Sequence, residues 1–365
     1  MGVRQGTVEA LVNDGFWRGR RVFLTGHTGF KGAWLSLWLR KLGAQVTGYA
    51  LEPPTQPSLF EFARVADGMC SEIADINDAG RLADAVNRAR PEVVLHLAAQ
   101  SLVREGYARP IETFATNVMG TVHLLEACRA VPSLRALVVV TSDKCYENRD
   151  EAHAFRETDP MGGRDPYSAS KGCAELVVAS YRQSYFASSV GVATARAGNV
   201  IGGGDWAADR LVPDLLRAFE AGRPALIRQP AAVRPWQHVV EPLSGYLRLV
   251  ERLWEDPQRY SGGWNFGPVA ADARPVDWIA DGLVRRWGTG AAWCRDAAAH
   301  PHEAAMLSLD CLKAREHLGW HPVTSLETAL DWVVEWHLAV RARRDPRAVT
   351  LEQIERFETL TRVSP

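Results

Sequence analysis

Three side chains near the middle of the sequence could carry acid–base chemistry on a hydroxyl group. Tyr167 and Lys171 are four residues apart, so a helix would place them on one face, one turn apart. An ammonium group beside a phenol lowers the phenol pKa, so Tyr167 could take a proton from a sugar or alcohol hydroxyl near neutral pH. Thr141 ends the apolar run of residues 136–141 and could hydrogen-bond the same hydroxyl. Together they predict a site for alcohol oxidation.

Asp143 and Lys144 form a second acid–base couple immediately after that run. Simple alcohol oxidation needs no second couple, so the pair indicates a further proton-transfer step. The alternative interpretation is a solvated pair of charges in a surface loop.

A glycine-rich segment, residues 26–32, has the pattern G-x-x-G-x-x-G and lies between a short apolar run and a helical pattern. Glycines at these positions allow a tight turn and a close approach to a pyrophosphate, whose charge a helix N-terminus favours. The segment therefore predicts dinucleotide binding, and a merely structural turn is the alternative. The contacts expected here are Gly26, Thr28, Gly29, Phe30, Lys31 and Gly32.

The remaining cofactor contacts are expected at the ends of later strands. Asp75 and Ile76 follow an expected third strand, just before the helical pattern at 77–90, and could contact adenine. The small Ala98 and Ala99 would let the cofactor lie flat. No arginine stands at the end of the second strand to hold a 2′-phosphate, which favours NAD over NADP. The further expected contacts are Asp75, Ile76, Leu97, Ala98, Ala99, Thr116, Tyr167 and Lys171.

The elements that must position these residues alternate along the first two hundred residues. Strand patterns at 21–26, 45–51, 93–97, 136–141 and 190–197 alternate with helical patterns at 31–42, 77–90, 111–130 and 166–186. This alternation predicts an α/β fold with a Rossmann-type, doubly wound parallel sheet and a smaller C-terminal substrate-binding lobe. We expect residues 14–200 to form the nucleotide-binding domain, residues 201–350 to form most of the lobe, and residues 235–260 to return to the first domain.

Composition excludes several classes of function. The chain has 365 residues and a formal net charge of −1, which gives no reason to expect nucleic acid as a partner. Its six cysteines show no C-x-x-C or other metal-ligand spacing, so no metal site is expected. There is no apolar signal segment near the first residue and no apolar run long enough to span a bilayer. These features predict a soluble cytoplasmic protein without a membrane partner.

These motifs together resemble the extended short-chain dehydrogenase/reductase family. The glycine pattern, His-Leu-Ala-Ala at 96–99, Tyr-x-x-x-Lys at 167–171 and Arg-Ala-Gly-Asn-Val at 196–200 carry the resemblance. Longer strings at 25–34, 141–148, 198–206 and 234–239 are similar to the nucleotide-sugar 4,6-dehydratases of this family, and the Asp-Lys pair separates them from the epimerases. The resemblance implies NAD as cofactor, CDP-glucose as substrate, and a homodimer or dimer of dimers. The substrate contacts expected are Ser101, Asn199, Arg210, Arg234, Asn265 and His302.

The resemblance also implies a mechanism for a hydro-lyase. Tyr167 would deprotonate the glucose 4-hydroxyl, Thr141 would position that hydroxyl, and Lys171 would hold the cofactor ribose. Lys144 would then remove the C5 proton, and Asp143 would protonate the departing 6-hydroxyl. Because adjacent unlike charges favour the ionised forms of both, the two roles could also be exchanged.

Other functions stay open at this point. A dTDP-, GDP- or UDP-linked sugar could replace the CDP-sugar, and a 4-epimerase would use the same first step. A non-catalytic NAD-binding regulatory protein could share the fold, although such proteins commonly lose the tyrosine or the lysine.

Overall fold

The computed structural model describes residues 11–363 except 152, 187 and 299–305. Its strands, in chain order, are β1 (Arg21–Thr25), β2 (Gln45–Ala50), β3 (Cys70–Ile73), β4 (Val93–His96), β5 (Ala136–Val140), β6 (Ala154–Phe155), β7 (Gly191–Ala197), β8 (Asn199–Ile201), β9 (Ala225–Ile227), β10 (Val233–His238), β11 (Gly262–Phe266), β12 (Ala273–Pro275), β13 (Trp293–Arg295) and β14 (Ser308–Leu309).

The helices are α1 (Asp14–Trp17), α2 (Phe30–Lys41), α3 (Leu59–Phe62), α4 (Ala79–Ala89), α5 (Val103–Ala108), α6 (Pro110–Phe114), α7 (Gly120–Arg129), α8 (Pro166–Ser184), α9 (Leu211–Glu220), α10 (Val240–Glu255), α11 (Pro257–Tyr260), α12 (Val276–Trp287), α13 (Leu326–Arg341) and α14 (Pro346–Val363). Two π-helical turns, Ala115–Met119 and Ala314–Leu318, and two 3₁₀ turns, Asp143–Cys145 and Ala270–Asp272, complete the assignment.

Seven strands form one parallel sheet in the order β3-β2-β1-β4-β5-β7-β11. The strand order reverses between β1 and β4, and ligands of such sheets bind beyond the carboxyl ends of the strands at this switch point. The predicted doubly wound Rossmann-type sheet is confirmed.

Alternating side chains of each strand enter two separate cores, one on each face of the sheet. In β1, Val22 and Leu24 belong to the core that includes α2 and α10, whereas Phe23 belongs to the core of α4 and α7. Both faces are therefore covered, as a parallel sheet requires.

A third core lies outside the large sheet. It joins α9, α12 and α13 with apolar residues of β9 and β10, beside a small sheet in the order β12-β10-β8 and the parallel pair β9-β13. The chain then returns to the large sheet, because α10 packs on β5 and β7 and β11 pairs with β7. The division at 14–200, 201–350 and 235–260 remains a prediction.

The helix predicted over residues 111–130 is divided. A π-helical turn at Ala115–Met119 separates α6 from α7. In this turn the Asn117 amide nitrogen donates to the Gln100 carbonyl and to Ser170 Oγ, at 2.9 and 2.8 Å. The interruption therefore ties the end of β4 to α8, which is a use typical of π turns near functional sites.

No helix within the described ranges combines the length and the apolar character that crossing a bilayer requires.

Candidate active site

The carboxyl ends of the central strands open into a cleft of about 1170 Å³. This exceeds the roughly 300–1,000 Å³ of an ordinary small-molecule pocket, so the cleft can hold a dinucleotide and a second ligand together. All the predicted site residues that the structure describes line the cleft, except Asn265.

The glycine-rich loop folds tightly against the end of β4. Gly26 has φ +76°, and a Cβ atom there would lie 2.6 Å from the Ala98 amide nitrogen. A Cβ atom at Gly32 would lie 2.0 Å from the Gly26 carbonyl oxygen. Because neither backbone neighbour can give way, both positions require glycine if the loop is to keep this shape.

The same loop fits the pyrophosphate of a dinucleotide. Gly29 caps the N-terminus of α2 and carries no side chain to cover it, so the N–H groups of the first turn can donate hydrogen bonds to an anion. Thr28 Oγ1 donates to the Leu51 carbonyl at 2.8 Å, which fixes the loop to the end of β2. Farther out, Asp75 Oδ1 accepts from the Asn77 amide at 2.9 Å.

Lys31 extends from the loop into the cleft. Burial, together with the positive charges of Arg210 and Lys171, lowers the pKa of Lys31 to about 7, while Asp143 and Asp205 oppose this. Its amine thus lies within electrostatic reach of the predicted catalytic residues as well as at the start of α2.

Helix α8 presents the Tyr-x-x-x-Lys motif to the cleft. Asp165 caps the helix by accepting from the Ser168 amide at 3.0 Å, and Pro166 occupies the first helical position, a combination that favours helix initiation. Tyr167 and Lys171 lie one turn apart, and both are buried.

The pKa of Tyr167 differs from the sequence-based expectation. Burial raises it to about 12, although a hydrogen bond with Ser142 opposes this change. Lys171 Nζ donates to the Val140 carbonyl at 3.3 Å, and burial lowers the pKa of Lys171 to about 8 against the attraction of Glu175. The pKa of the phenol is raised because loss of solvent outweighs the opposing hydrogen bond with Ser142 and the positive charge of Arg210.

The Thr141 hydroxyl is engaged away from Tyr167, so its role in positioning the sugar hydroxyl stays a prediction that this geometry does not support. This hydroxyl donates to Glu175 Oε1 at 2.5 Å, on the side of β5 that faces α8. The next residue, Ser142, is the one that hydrogen-bonds with Tyr167. Because successive side chains of an extended segment point to opposite sides, only one of the two hydroxyls can reach Tyr167.

Asp143 and Lys144 lie in the 3₁₀ turn after Ser142. The Asp143 side chain is buried; its Oδ1 accepts from Ser142 Oγ at 3.0 Å, and its Oδ2 has no partner among the described residues. Burial raises the pKa of Asp143, and Lys144 and Arg234 oppose the change. The buried position of Asp143 therefore favours the protonated carboxyl group that a general acid needs.

Arg210 connects two sides of the cleft. It forms an ion pair with Asp205 at 3.0 Å and donates to Ser101 Oγ at 2.9 Å. Arg234 is buried on β10, where Nη1 donates to the Val233 carbonyl at 2.9 Å. Asn199, on the adjacent β8, is partly buried and lies beside Trp236.

Asn265 does not belong to the cleft. It is fully buried in β11, where its amide nitrogen donates to the Phe155 and Asp310 carbonyls and its Oδ1 accepts from Tyr146. Its amide atoms are engaged in this way by other protein groups, so the expected contact of Asn265 with substrate stays a prediction that this geometry does not support. His302 lies outside the described residues.

Two arginines at the cleft were missed. Arg104 of α5 and Arg228, after β9, both donate to Asp209 Oδ1, at 3.0 and 3.1 Å. An isolated arginine, whether in a short helix such as α5 or in a loop, carries no sequence signal of this kind. The role of Ser142, by contrast, could have been found from the alternation of β5.

The fold and cleft define an enzyme of the Rossmann class that accommodates a dinucleotide. The chain matches the NAD dependent epimerase/dehydratase family over residues 22–262, and it belongs to that family. The predicted membership and the NAD cofactor are confirmed.

Individual relatives are nucleotide-sugar dehydratases. The chain is 54% identical over 335 residues to the CDP-glucose 4,6-dehydratase of Salmonella typhimurium (strain LT2), covering 90% of this chain and 93% of the relative. It is 27% identical over 287 residues to the dTDP-glucose 4,6-dehydratase of Neisseria gonorrhoeae, covering 75% and 82%. A crystal structure of dTDP-glucose 4,6-dehydratase from Bacillus anthracis in complex with NAD has the same fold, with a TM-score of 0.73, 20% identity and coverage of 89% and 99%.

Proposed function

We propose that this enzyme dehydrates CDP-glucose to CDP-4-keto-6-deoxyglucose, with NAD as a cofactor that ends the reaction unchanged. The observation that carries the proposal is the second acid–base couple, Asp143 and Lys144, in the same cleft as Tyr167 and Lys171. The likeness to a CDP-glucose 4,6-dehydratase supports the choice of sugar nucleotide.

The first proton transfer belongs to Tyr167. Its phenol oxygen takes the proton of the glucose 4-hydroxyl, and Ser142, its hydrogen-bond partner, orients that hydroxyl in place of Thr141. When bound, NAD would supply the reversible hydride transfer that oxidation at C4 and reduction at C6 require. Lys171 holds the cofactor ribose, and its positive charge stabilises the tyrosinate.

The second couple then completes the elimination. The C4 ketone acidifies the C5 proton, which Lys144 removes, and the C6 hydroxyl leaves as water with a proton from Asp143. Lys144 returns a proton to C5. Burial raises the pKa of Asp143, which supports its role as the acid and leaves the base to Lys144.

The diphosphate of the substrate carries negative charge that the cleft can meet with arginine. Arg210 and Arg234 are our candidates for the phosphates, and Ser101 and Asn199 for the sugar and ribose hydroxyls. Guanidinium groups suit phosphate oxygens because they donate in a fixed planar geometry.

Two alternatives predict different behaviour. A 4-epimerase would return its hydride to C4 and has no use for the Asp143–Lys144 couple. A non-catalytic NAD-binding protein would not need Tyr167 and Lys171 buried together at the cleft. A cytoplasmic location is part of the proposal, and it agrees with six cysteines that are all free.

Incubation of the purified protein with CDP-glucose, with and without added NAD, tests the function. We expect the alkali-induced absorbance of a 4-keto-6-deoxy sugar from CDP-glucose, and much less from dTDP-, GDP- and UDP-glucose controls. Turnover of another nucleotide sugar alone would discard the substrate but keep the chemistry. No turnover of any of them, with NAD bound, would support the regulatory alternative.

We also propose that the protein is at least a homodimer. Four large apolar side chains are exposed on α6, the adjacent π turn and α8, three elements that contact one another: Ile111, Phe114, Met119 and Leu176. An exposed patch of neighbouring large apolar side chains is typical of an interface. A second copy of this chain fits this surface, because the same helices of two copies can pack against each other about a two-fold axis.

The Leu176→Asp substitution places a charge in this surface, and we expect it to convert the dimer to a monomer. Burial of an unpaired carboxylate is unfavourable. Sedimentation velocity measures the change, and Leu338→Asp, on an exposed part of α13, is the matched control. A monomeric wild-type protein, or equal effects of both substitutions, would contradict the proposed interface.

A further inference from the structure

A buried ion pair lies behind the cleft. Arg196 of β7 donates through Nε and Nη2 to the two carboxylate oxygens of Glu175 on α8, at 2.9 and 2.7 Å. Thr194 Oγ1 adds a hydrogen bond to Glu175 Oε2 at 2.7 Å. Both charged side chains are buried and neither lines the cleft, so the mechanism above does not use them.

The carboxylate of this pair holds one end of the catalytic segment, residues 141–146. Thr141 begins the segment, and its hydroxyl donates to Glu175 Oε1 at 2.5 Å. Ser142 follows directly, so this hydrogen bond fixes the point from which Ser142 enters the cleft.

The guanidinium holds the other end. Tyr146 ends the segment two residues after Lys144, and its hydroxyl accepts from Arg196 Nη1 at 2.7 Å and donates to Asn265 Oδ1 at 2.6 Å. Its ring stacks on Phe155 at 4.9 Å between centroids. Tyr146 is therefore held by its hydroxyl and by its ring.

Glu175 also belongs to the catalytic helix. It follows Lys171 by four residues and Tyr167 by eight on α8, so the three side chains share one helical face. Both ends of the catalytic segment are thus connected, through one ion pair, to the helix that carries the other catalytic residues.

We propose that Glu175 and Arg196 are positioning residues that hold the segment 141–146 at both ends and so set Asp143 and Lys144 against Tyr167. The inference deepens the proposed dehydration and rests on it. Elimination at C5 and C6 requires the second couple to meet the sugar that Tyr167 has already oriented, and a misplacement of about 1 Å can cost roughly 10²-fold in rate.

The test removes the hydroxyl groups at the two ends, because loss of Glu175 or Arg196 would leave an uncompensated buried charge and unfold the protein. Tyr146→Phe keeps the ring but removes the contacts with Arg196 and Asn265. Tyr246→Phe is the matched control, since Tyr246 is also fully buried and its hydroxyl has no hydrogen-bond partner within the described ranges.

We expect Tyr146→Phe to lower kcat about tenfold or more with KM within about threefold, because Lys144 loses its position while the arginines still bind substrate. The oxidised sugar then waits for elimination, so the steady-state absorbance of reduced cofactor rises per folded enzyme. Tyr246→Phe leaves both quantities unchanged.

Thr141→Val tests the other end with nearly the same volume, and Thr141→Ser restores the hydroxyl. Loss of position at Ser142 slows C4 oxidation, so Thr141→Val lowers kcat without the rise in reduced cofactor, and Thr141→Ser recovers most of the activity. A structural role alone would lower the unfolding temperature but leave the rate per folded enzyme unchanged.

The outcomes separate the two proposals. Active wild-type protein with Tyr146→Phe and Thr141→Val rates equal to the Tyr246→Phe control would overturn the positioning role and keep the dehydratase. Wild-type protein inactive on every nucleotide sugar would overturn the proposed function and this inference with it.

Discussion

We expect the Lys144→Met variant to bind CDP-glucose and oxidise it at C4, but to form product about 10²–10⁴-fold more slowly, the usual contribution of a general acid or base. Methionine keeps the length of the side chain and removes the amine. Tyr167, Ser142 and Lys171 stay in place, so the reaction proceeds to the ketone and stops. Rapid-quench analysis of the bound sugar, together with the absorbance of the reduced cofactor, measures the stalled state.

Comparison with Asp143→Asn decides which residue is the base. If Lys144 removes the C5 proton, the ketone bound to Lys144→Met takes up no deuterium at C5 in heavy water, whereas the ketone bound to Asp143→Asn does. The reverse pattern would exchange the two roles. Lys41→Met, at the far end of α2 in a partly exposed ion pair with Glu358, is the control. Full turnover by Lys144→Met would refute its role.

The Tyr167→Phe variant is expected to fail one step earlier. Without the phenol oxygen no group takes the 4-hydroxyl proton, so oxidation slows by about 10²–10⁴-fold. Phenylalanine fits the same buried position, and the unfolding temperature should change little. Mixing with CDP-glucose and NAD should give neither the ketone nor reduced cofactor, in contrast to Lys144→Met.

Substrate binding separates this result from a damaged cleft. Tyr167→Phe should bind CDP-glucose within about threefold of the wild type, since a residue that acts in the transition state contributes to kcat more than to ground-state binding. Reduced cofactor formed at the wild-type rate would contradict the role of Tyr167 as the base.

The sheet could be predicted because its signals are local. Apolar runs such as 136–141 and helical patterns such as 31–42 alternate regularly, and glycines at the first turn identify the switch point. The π turn at Ala115–Met119 could not be predicted, because its Asn117 bonds to Ser170 of another helix, far away in the sequence. The periodicity of the sequence does not reveal such a contact.

The differences between the expected and the observed site have the same origin. Thr141 and Ser142 are chemically similar neighbours, and only their orientation between α8 and the cleft separates them. The pKa of Tyr167 depends on burial, which its spacing from Lys171 does not reveal. Asn265 is polar and lies near a strand end, but Tyr146 and two carbonyl groups engage its amide.

The position of β11 at the edge of the sheet also affects how the chain folds while it is being translated. Its partner β7 ends at residue 197, and residues 198–261 leave the ribosome before the first residue of β11. At roughly 5–20 residues per second, β7 remains an open edge for several seconds, with unpaired N–H and C=O groups that can bind another chain. Helix α10, which covers the same strands, emerges only in the last part of that interval. A nascent chain that ends near residue 200 would therefore expose an unpaired strand edge and be prone to aggregation. The large sheet is complete only after β11 has been made.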